Sequence, residues 1–259
     1  MRRGQGALEY LLLIGGGVLV ASIVLVLVLG ISNSGTGGVR NSVHLIQIKQ
    51  LMAQSGLGYW ALDESSGTLA SDGSGKGLNG TLGAGASFSS GKYGGGARFN
   101  GASNSYVIIS PASPSGLDLT SNFTWAAWIN PADGAERMIF NKESTYEWEC
   151  TGGVIQWALQ TTGGAWYWAN TGVTCPANQW NFFALTYDGT NVRIYKNNGK
   201  GPASTLAHSY PGPVIPNSNP LCIGARGGSC GGTNFNGSID EVMIFNRVLG
   251  DAEIAGLGS

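Results

Sequence analysis

Hydrophobic and polar positions follow three different rhythms along this chain. From Leu11 to Ile31 the residues are apolar, with a Gly15-Gly16-Gly17 interruption and no charge. At the helical rise per residue such a run is about 30 Å long, the thickness of a bilayer's hydrocarbon core, so it predicts a membrane-crossing helix. Ser32 to Gly38 then reads as a flexible break. Beyond it, Val43, Leu45, Ile46, Ile48, Leu51 and Met52 recur at helical spacing, and a short helix is predicted over Val39 to Gln54.

From Gly56 onward the pattern becomes short strands between Gly, Asn, Asp and Ser turns. Predicted strands lie at Gly58–Leu62, Ala97–Phe99, Tyr106–Ile109, Met138–Asn141, Val154–Leu159, Ala165–Ala169, Trp180–Tyr187, Val192–Tyr195, Leu221–Ala225 and Ser238–Phe245. Phe123–Ile129 is apolar on both faces and reads as a central strand. Asp188-Gly189 and Asn198-Gly199 supply turns, and Asp251 to Ile254 reads as an N-capped helical turn. About a dozen short strands without a helical rhythm make a two-sheet antiparallel sandwich the expected architecture.

Composition sharpens this picture. Charged residues are 11% of the 259, glycine numbers 43, and the net charge is −1. Without a basic cluster, nucleic acid is not an expected partner. A hydrophobic content of 42% with eight tryptophans supplies a core, so the low charge does not mean disorder.

Two arginines precede the apolar run and only Arg40 and Lys49 soon follow, which keeps Met1 cytoplasmic and sends the rest outside. In that compartment Cys150, Cys175, Cys222 and Cys230 read as disulfides. Sequential pairing, 150 with 175 and 222 with 230, closes two short glycine-rich segments. A secretory signal has a shorter apolar core and a cleavage site after it, and the carboxylate of Glu9 at the run's entrance does not belong in one.

The stretch Arg2-Arg3-Gly4 followed by Gln5-Gly6-Ala7-Leu8-Glu9-Tyr10-Leu11 resembles the class III signal peptides of archaeal type IV pilin-like proteins. The resemblance implies a prepilin peptidase cut between Gly4 and Gln5, which leaves the apolar helix on the mature subunit. Glu9 then becomes the fifth mature residue. In a bundle of identical helices Glu9 would pair with a neighbour's Gln5 amine, since an unpaired buried charge is costly. The rival reading is a single-span anchor with Glu9 at headgroup level.

Two further blocks resemble the LamG-like jelly rolls of the concanavalin A-like lectin and glucanase fold. One is Gly58-Tyr59-Trp60-Ala61-Leu62-Asp63-Glu64 with Asp72-Gly73-Ser74-Gly75 and Asn79-Gly80-Thr81-Leu82. The other is Gly237-Ser238-Ile239-Asp240-Glu241-Val242-Met243-Ile244-Phe245-Asn246-Arg247-Val248-Leu249. The resemblance implies a structural Ca²⁺ held by Asp240 with Asp72 or Asp63 and backbone oxygens. Against it stands a reading in which Asp72 caps a Gly-Ser turn and Asp240 satisfies buried amides. Trp157, Trp166 and Trp168 are candidate sugar-stacking residues, with core packing the alternative, while Trp125, Trp128 and Trp180 are expected in the core.

A glucanase would need alternating Glu, Asp and Glu on one strand. Glu143-Ser144-Thr145-Tyr146-Glu147-Trp148-Glu149 lacks the aspartate and the spacing, and His44 and His208 are isolated, so no enzyme is expected. Asn79, Asn122 and Asn236 begin glycosylation sequons.

The chain therefore reads as mainly β: an antiparallel two-sheet jelly-roll sandwich preceded by a long hydrophobic N-terminal α-helix. Residues 1–4 form the signal peptide, 5–31 the hydrophobic helix, 32–56 a linker with a short helix, and 57–259 the jelly roll. The expected role is a structural or adhesive subunit of a surface filament. Its partners would be identical subunits, prepilin peptidase, the membrane before assembly, and surface glycans or proteins. The alternative is a membrane-anchored protein that binds or hydrolyses glycans without polymerising.

Overall fold

The computed structural model describes residues 36–110, 114–197 and 199–259. The signal segment, the apolar run with Gly4, Gln5 and Glu9, and Asn198 of the expected 198–199 turn lie outside them. Among the described residues no helix is long and apolar enough to cross a membrane. Gln47–Ser259 makes one compact unit, distinct from the residues before it.

Helix α1 covers Thr36–Ser55. It contains the expected helix, and also Gly37 and Gly38, which composition had placed in the break. Sixteen strands follow among the described residues. They begin with β1 (Gly56–Trp60), β2 (Leu69–Ala70), β3 (Gly80–Leu82), β4 (Ala86–Tyr93), β5 (Gly95–Asn100) and β6 (Val107–Ile109). Next come β7 (Phe123–Pro131), β8 (Arg137–Lys142), β9 (Tyr146–Thr151), β10 (Val154–Leu159) and β11 (Tyr167–Thr174). The set closes with β12 (Asn181–Tyr187), β13 (Asn191–Lys196), β14 (Ser204–Ala207), β15 (Leu221–Ile223) and β16 (Asn236–Phe245).

The strands form two antiparallel sheets, as expected. The first has the order β14-β13-β12-β7-β16-β5-β4, with β1 also paired to β16; the second runs β11-β10-β9-β8-β15-β6-β3-β2. Strands absent from the reading are short, polar or at sheet edges, except β9, which lies between β8 and β10 in the interior of the second sheet.

Alternation explains the layering. Along β7, Phe123, Trp125, Ala127 and Ile129 point into the core between the sheets, while Ala126 and Trp128 point to the other side. That other side is covered by Ile48, Leu51 and Met52 of α1 and by Ile254 and Leu257 of α2 (Asp251–Leu257). The expected single turn at Asp251 is thus a longer helix with Gly250 as its N-cap. Glu253 accepts the Gly250 N–H at 2.8 Å, and Asp251 accepts the Tyr195 hydroxyl at 2.9 Å.

The inter-sheet core holds Trp60, Trp125, Trp148, Trp157, Tyr146 and Phe140, all fully buried. Each such side chain contributes roughly 1.5–3 kcal/mol through burial. On the outer face of the second sheet Asn141, Glu147 and Glu149 are polar yet buried, while Gln156 and Trp168 are half-buried and Asn170 is exposed.

Candidate functional site

Register fixes what the second sheet presents outward. Cys222, Asn141, Glu147, Ala158 and Trp168 stand directly opposite one another across β15, β8, β9, β10 and β11. Directly paired residues share a face, so these five form one row across the strands. On the next positions of β9, Trp148 and Cys150 point into the core. The alternation of β9 is therefore apolar inward and acidic outward.

Over this row lies Arg226, from the loop after β15. Its Nε is 3.1 Å from a Glu147 carboxylate oxygen and 3.9 Å from one of Glu143, and its guanidinium centre is 5.4 Å from the Trp168 ring. The small Ala158 between Glu147 and Trp168 leaves room for the arginine to reach both. The loop is fixed at several points. Gly224 takes a φ of 76° with the Phe99 ring 2.6 Å from where a Cβ would be. The Gly227 N–H donates to Asn141 Oδ1 at 3.1 Å, Arg226 and Gly232 exchange backbone bonds, and Cys222 is disulfide-bonded to Cys230.

Between this loop and Glu143 lies an open depression of about 330 Å³ lined by Glu143, Arg226, Gly227, Ser229, Gly231 and Gly232. Glu147 is fully buried beneath Arg226. Burial pushes its carboxyl up to about 7, against the pull of Arg226. Burial also raises Glu149, whose Oε1 accepts from the Thr151 hydroxyl at 2.7 Å.

The tryptophans divide. Trp166 and Trp168 are half-buried with rings 6.2 Å apart and edge-on, on the outer side. Trp157, grouped with them from sequence, is fully buried in the core against Tyr167 and His208, because its position on β10 is opposite in parity to Ala158. It stacks on no external ligand. Trp125 and Trp128 are buried as expected, and Trp180 packs part-buried on the layer under the helices.

A second group of carboxylates sits at the β4–β5 hairpin. Strand β16 bulges between Asp240 and Met243, where its other partner changes from β5 to β1. Strand β4 bulges between Ser90 and Tyr93, and Asp240 Oδ2 accepts the N–H groups of Lys92 and Tyr93 at 2.8 and 2.9 Å. Asp240 thus does satisfy buried amides, yet its Oδ1 is buried without a bond. Asp63 Oδ1 accepts the Gly95 N–H at 2.6 Å on the same hairpin.

Burial, reinforced by Asp63, pushes the Asp240 carboxyl up to about 7 against its amide bonds. Burial and then Asp240 push Glu241 up to about 8. Asp72 does not join this group. Its oxygens accept from the Ser74 N–H and hydroxyl and the Leu78 N–H at 2.9 Å each, and from the Tyr59 N–H at 3.2 Å, which makes it a turn cap. Among the described residues no three acidic, histidine or cysteine side chains converge as a ready-made metal cage.

Both disulfides pair as expected, Cys150 with Cys175 and Cys222 with Cys230. His208 is buried among Trp157, Tyr167 and Tyr187, with Nδ1 accepting the Tyr210 N–H at 3.0 Å. Asn79 and Asn122 are exposed, whereas the Asn236 amide donates to Asp133 at 3.1 Å. Sequence reading passed over Arg226 and Glu241. A lone arginine inside a Cys-bounded glycine loop and a second acid beside Asp240 in an apolar strand were the available signals.

Two facing antiparallel sheets with an apolar core between them define a lectin-like sandwich. The sequence from 100 to 255 matches the concanavalin A-like lectin/glucanases superfamily, and the chain belongs to it. Residues 2–28 match the class III signal peptide. Comparison with curated proteins yields no match.

Among solved structures, the binding domain of Paraclostridial Mosquitocidal Protein 1 is 19% identical with a TM-score of 0.66, covering 80% of this chain and 52% of that one. The botulinum neurotoxin serotype G binding domain is 17% identical with a TM-score of 0.61, covering 78% and 50%. Domain 4 of AbnA, a GH43 extracellular arabinanase from Geobacillus stearothermophilus, solved with arabinotriose, is 20% identical with a TM-score of 0.62, covering 79% and 98%. This chain spans about half the length of the two toxin domains. At these identities the likeness shows the fold.

Proposed function

We propose that the protein is a pilin-like subunit of a cell-surface filament that displays a non-catalytic, glycan-binding jelly roll. The observation that carries this reading is the class III signal peptide match over residues 2–28, placed ahead of a lectin-like domain. Prepilin peptidase would cut between Gly4 and Gln5. The 5–31 helices would then pass from the membrane into a filament core, with Glu9 pairing to a neighbour's Gln5 amine, and the jelly roll would face outward for adhesion.

Binding rather than hydrolysis is supported by Glu147, which is buried and tied to Arg226 instead of facing a cleft beside a second free carboxylate. The likeness to domain 4 of AbnA, solved with arabinotriose, agrees with a sugar as ligand.

The test is the N-terminal sequence and intact mass of the mature protein in sheared-filament and membrane fractions. A start at Gln5 in the sheared fraction is expected. A start at Met1 confined to membranes would leave a tethered, non-polymerising lectin.

The acidic hairpin suits a structural Ca²⁺ through Asp63, Asp240 and neighbouring backbone carbonyls, with Glu241 alongside and Asp72 engaged in its own turn. A hard cation takes oxygen donors, and here a buried Asp240 oxygen without a bond stands near other acids. Bound there, the ion would neutralise charge that otherwise destabilises the two bulges. Calorimetry of the chelator-treated protein against calcium measures this directly, and absence of heat and of any thermal shift rules it out.

A further inference from the structure

We propose that the depression beside Arg226 is a binding site for a neutral sugar presenting a vicinal diol. This rests on the glycan-binding reading above and gives it a place and a ligand class.

The argument begins with the arginine's unused donors. Arg226 makes its ion pairs through Nε, and both Nη groups donate to nothing among the described residues. Its stem is held from below by Glu147, from the side by the Trp168 ring, and through its backbone by the exchange with Gly232. A guanidinium fixed in this way is a preorganised pair of donors, and little rotamer freedom is lost when a ligand engages it. Glu143, half-exposed beside the arginine with a carboxylate oxygen 3.9 Å from its Nε, supplies acceptors.

Donors and acceptors side by side suit a hydroxyl, which gives one hydrogen bond and receives another. Two adjacent hydroxyls on a ring can engage the neighbouring arginine and carboxylate together. An anionic sugar could use the arginine, but Glu143 beside it and Glu147 and Glu149 beneath oppose a negative charge. A purely apolar ligand would leave the arginine and the carboxylate unpaired.

Size agrees. At about 330 Å³ the depression is at the lower end of the roughly 300–1,000 Å³ of small-ligand sites, suited to one or two sugar rings. The half-buried Trp168, 5.4 Å from the Arg226 guanidinium and with Trp166 6.2 Å beyond it, offers apolar surface for a ring's C–H face. The Cys222–Cys230 bond and the Asn141 contact with Gly227 hold the wall in place before any ligand arrives.

The test is a titration of tryptophan fluorescence in the full-length protein, held in detergent, with arabinotriose, laminaritriose, mannotriose and trigalacturonic acid. At least one neutral trisaccharide is expected to bind saturably, with trigalacturonic acid roughly tenfold or more weaker. Arg226→Ala would leave Glu147 buried without its counter-ion, so the paired variant Arg226→Ala with Glu147→Gln removes both charges and keeps the sheet. Glu143→Gln removes the acceptors without touching the core. Both variants are expected to keep the wild-type thermal transition and to weaken neutral-sugar binding by roughly tenfold or more.

Unchanged binding in both variants would overturn the assignment of this site while leaving a glycan-binding domain. A preference for trigalacturonic acid would overturn the ligand class. If the wild type binds none of the four, this proposal and the glycan-binding reading fall together, while filament assembly is judged separately by the mature N-terminus.

Discussion

Replacing Asp240 by Asn tests the acidic hairpin most directly. The Asn carbonyl can still accept the Lys92 and Tyr93 N–H groups that Asp240 Oδ2 holds, so the change removes a charge and keeps the bulge contacts. In the folded protein the Asp240 carboxyl is pushed from 3.8 up to about 7. Between those values the folded state binds more protons than the unfolded chain, so unfolding free energy must fall as pH rises.

The shift is about three units, and at about 1.4 kcal/mol per unit the loss approaches 4 kcal/mol for this group. Glu241, pushed up to about 8 in part by Asp240, shares the same repulsion, so the two contributions do not simply add. For a domain of this size, a few kcal/mol is on the order of 10 °C in the thermal midpoint.

In chelator, the wild-type midpoint should drop between about pH 5 and pH 8, with calcium restoring most of the loss at the alkaline end. D240N should show a much shallower drop and little response to calcium. His208, whose buried ring resists protonation, favours the opposite trend below neutrality. The difference between wild type and variant is therefore the decisive quantity. Equal pH slopes for the two proteins in chelator would refute the reasoning.

Other outcomes follow from packing and covalent closure. Removing the Cys150–Cys175 bond, 25 residues apart, should cost about 3–4 kcal/mol in urea unfolding, and removing Cys222–Cys230, 8 apart, about 2–3 kcal/mol. The second loss should also abolish sugar binding at Arg226, which the first should spare. Leu51→Ala, beneath α1, should cost about 2–5 kcal/mol, since Leu51 is 5% exposed in the layer between that helix and the first sheet. If the protein is glycosylated, peptide mass mapping should find glycan at Asn79 or Asn122 and none at Asn236, whose amide nitrogen is engaged by Asp133.

The sandwich was readable because its central strands carry their burial in their sequence. Phe123–Ile129, apolar on both faces, is β7, closed on one side by the second sheet and on the other by two helices. The edge strand β4, Ala-Ser-Phe-Ser-Ser-Gly-Lys-Tyr, has no such pattern, because only one side of it is paired and most of it meets solvent.

β9 misled for a different reason. Glu147 and Glu149 interrupt its apolar pattern, yet both are buried, and Glu147 lies under Arg226, which is brought over it from 79 positions later in the chain by a loop that no local pattern announces. Asp72 and Asp63 looked equivalent as companions of Asp240. Only the hydrogen bonds distinguish an aspartate consumed by its own turn from one joined to the β4–β5 hairpin beside Asp240.

The placement of the two disulfides has a mechanical consequence. All four cysteines belong to the second sheet or to its loops, and no covalent bridge joins the two sheets. The chain enters through α1, whose Ile48, Leu51 and Met52 lie on the outer face of the first sheet, while Arg226 lies on the outer face of the second. A pull between a ligand held at Arg226 and an anchored N-terminus would cross the sandwich from face to face. The stapled sheet would keep its grip on the ligand, and the interlocked aromatic side chains between the sheets would set the force at which the domain yields.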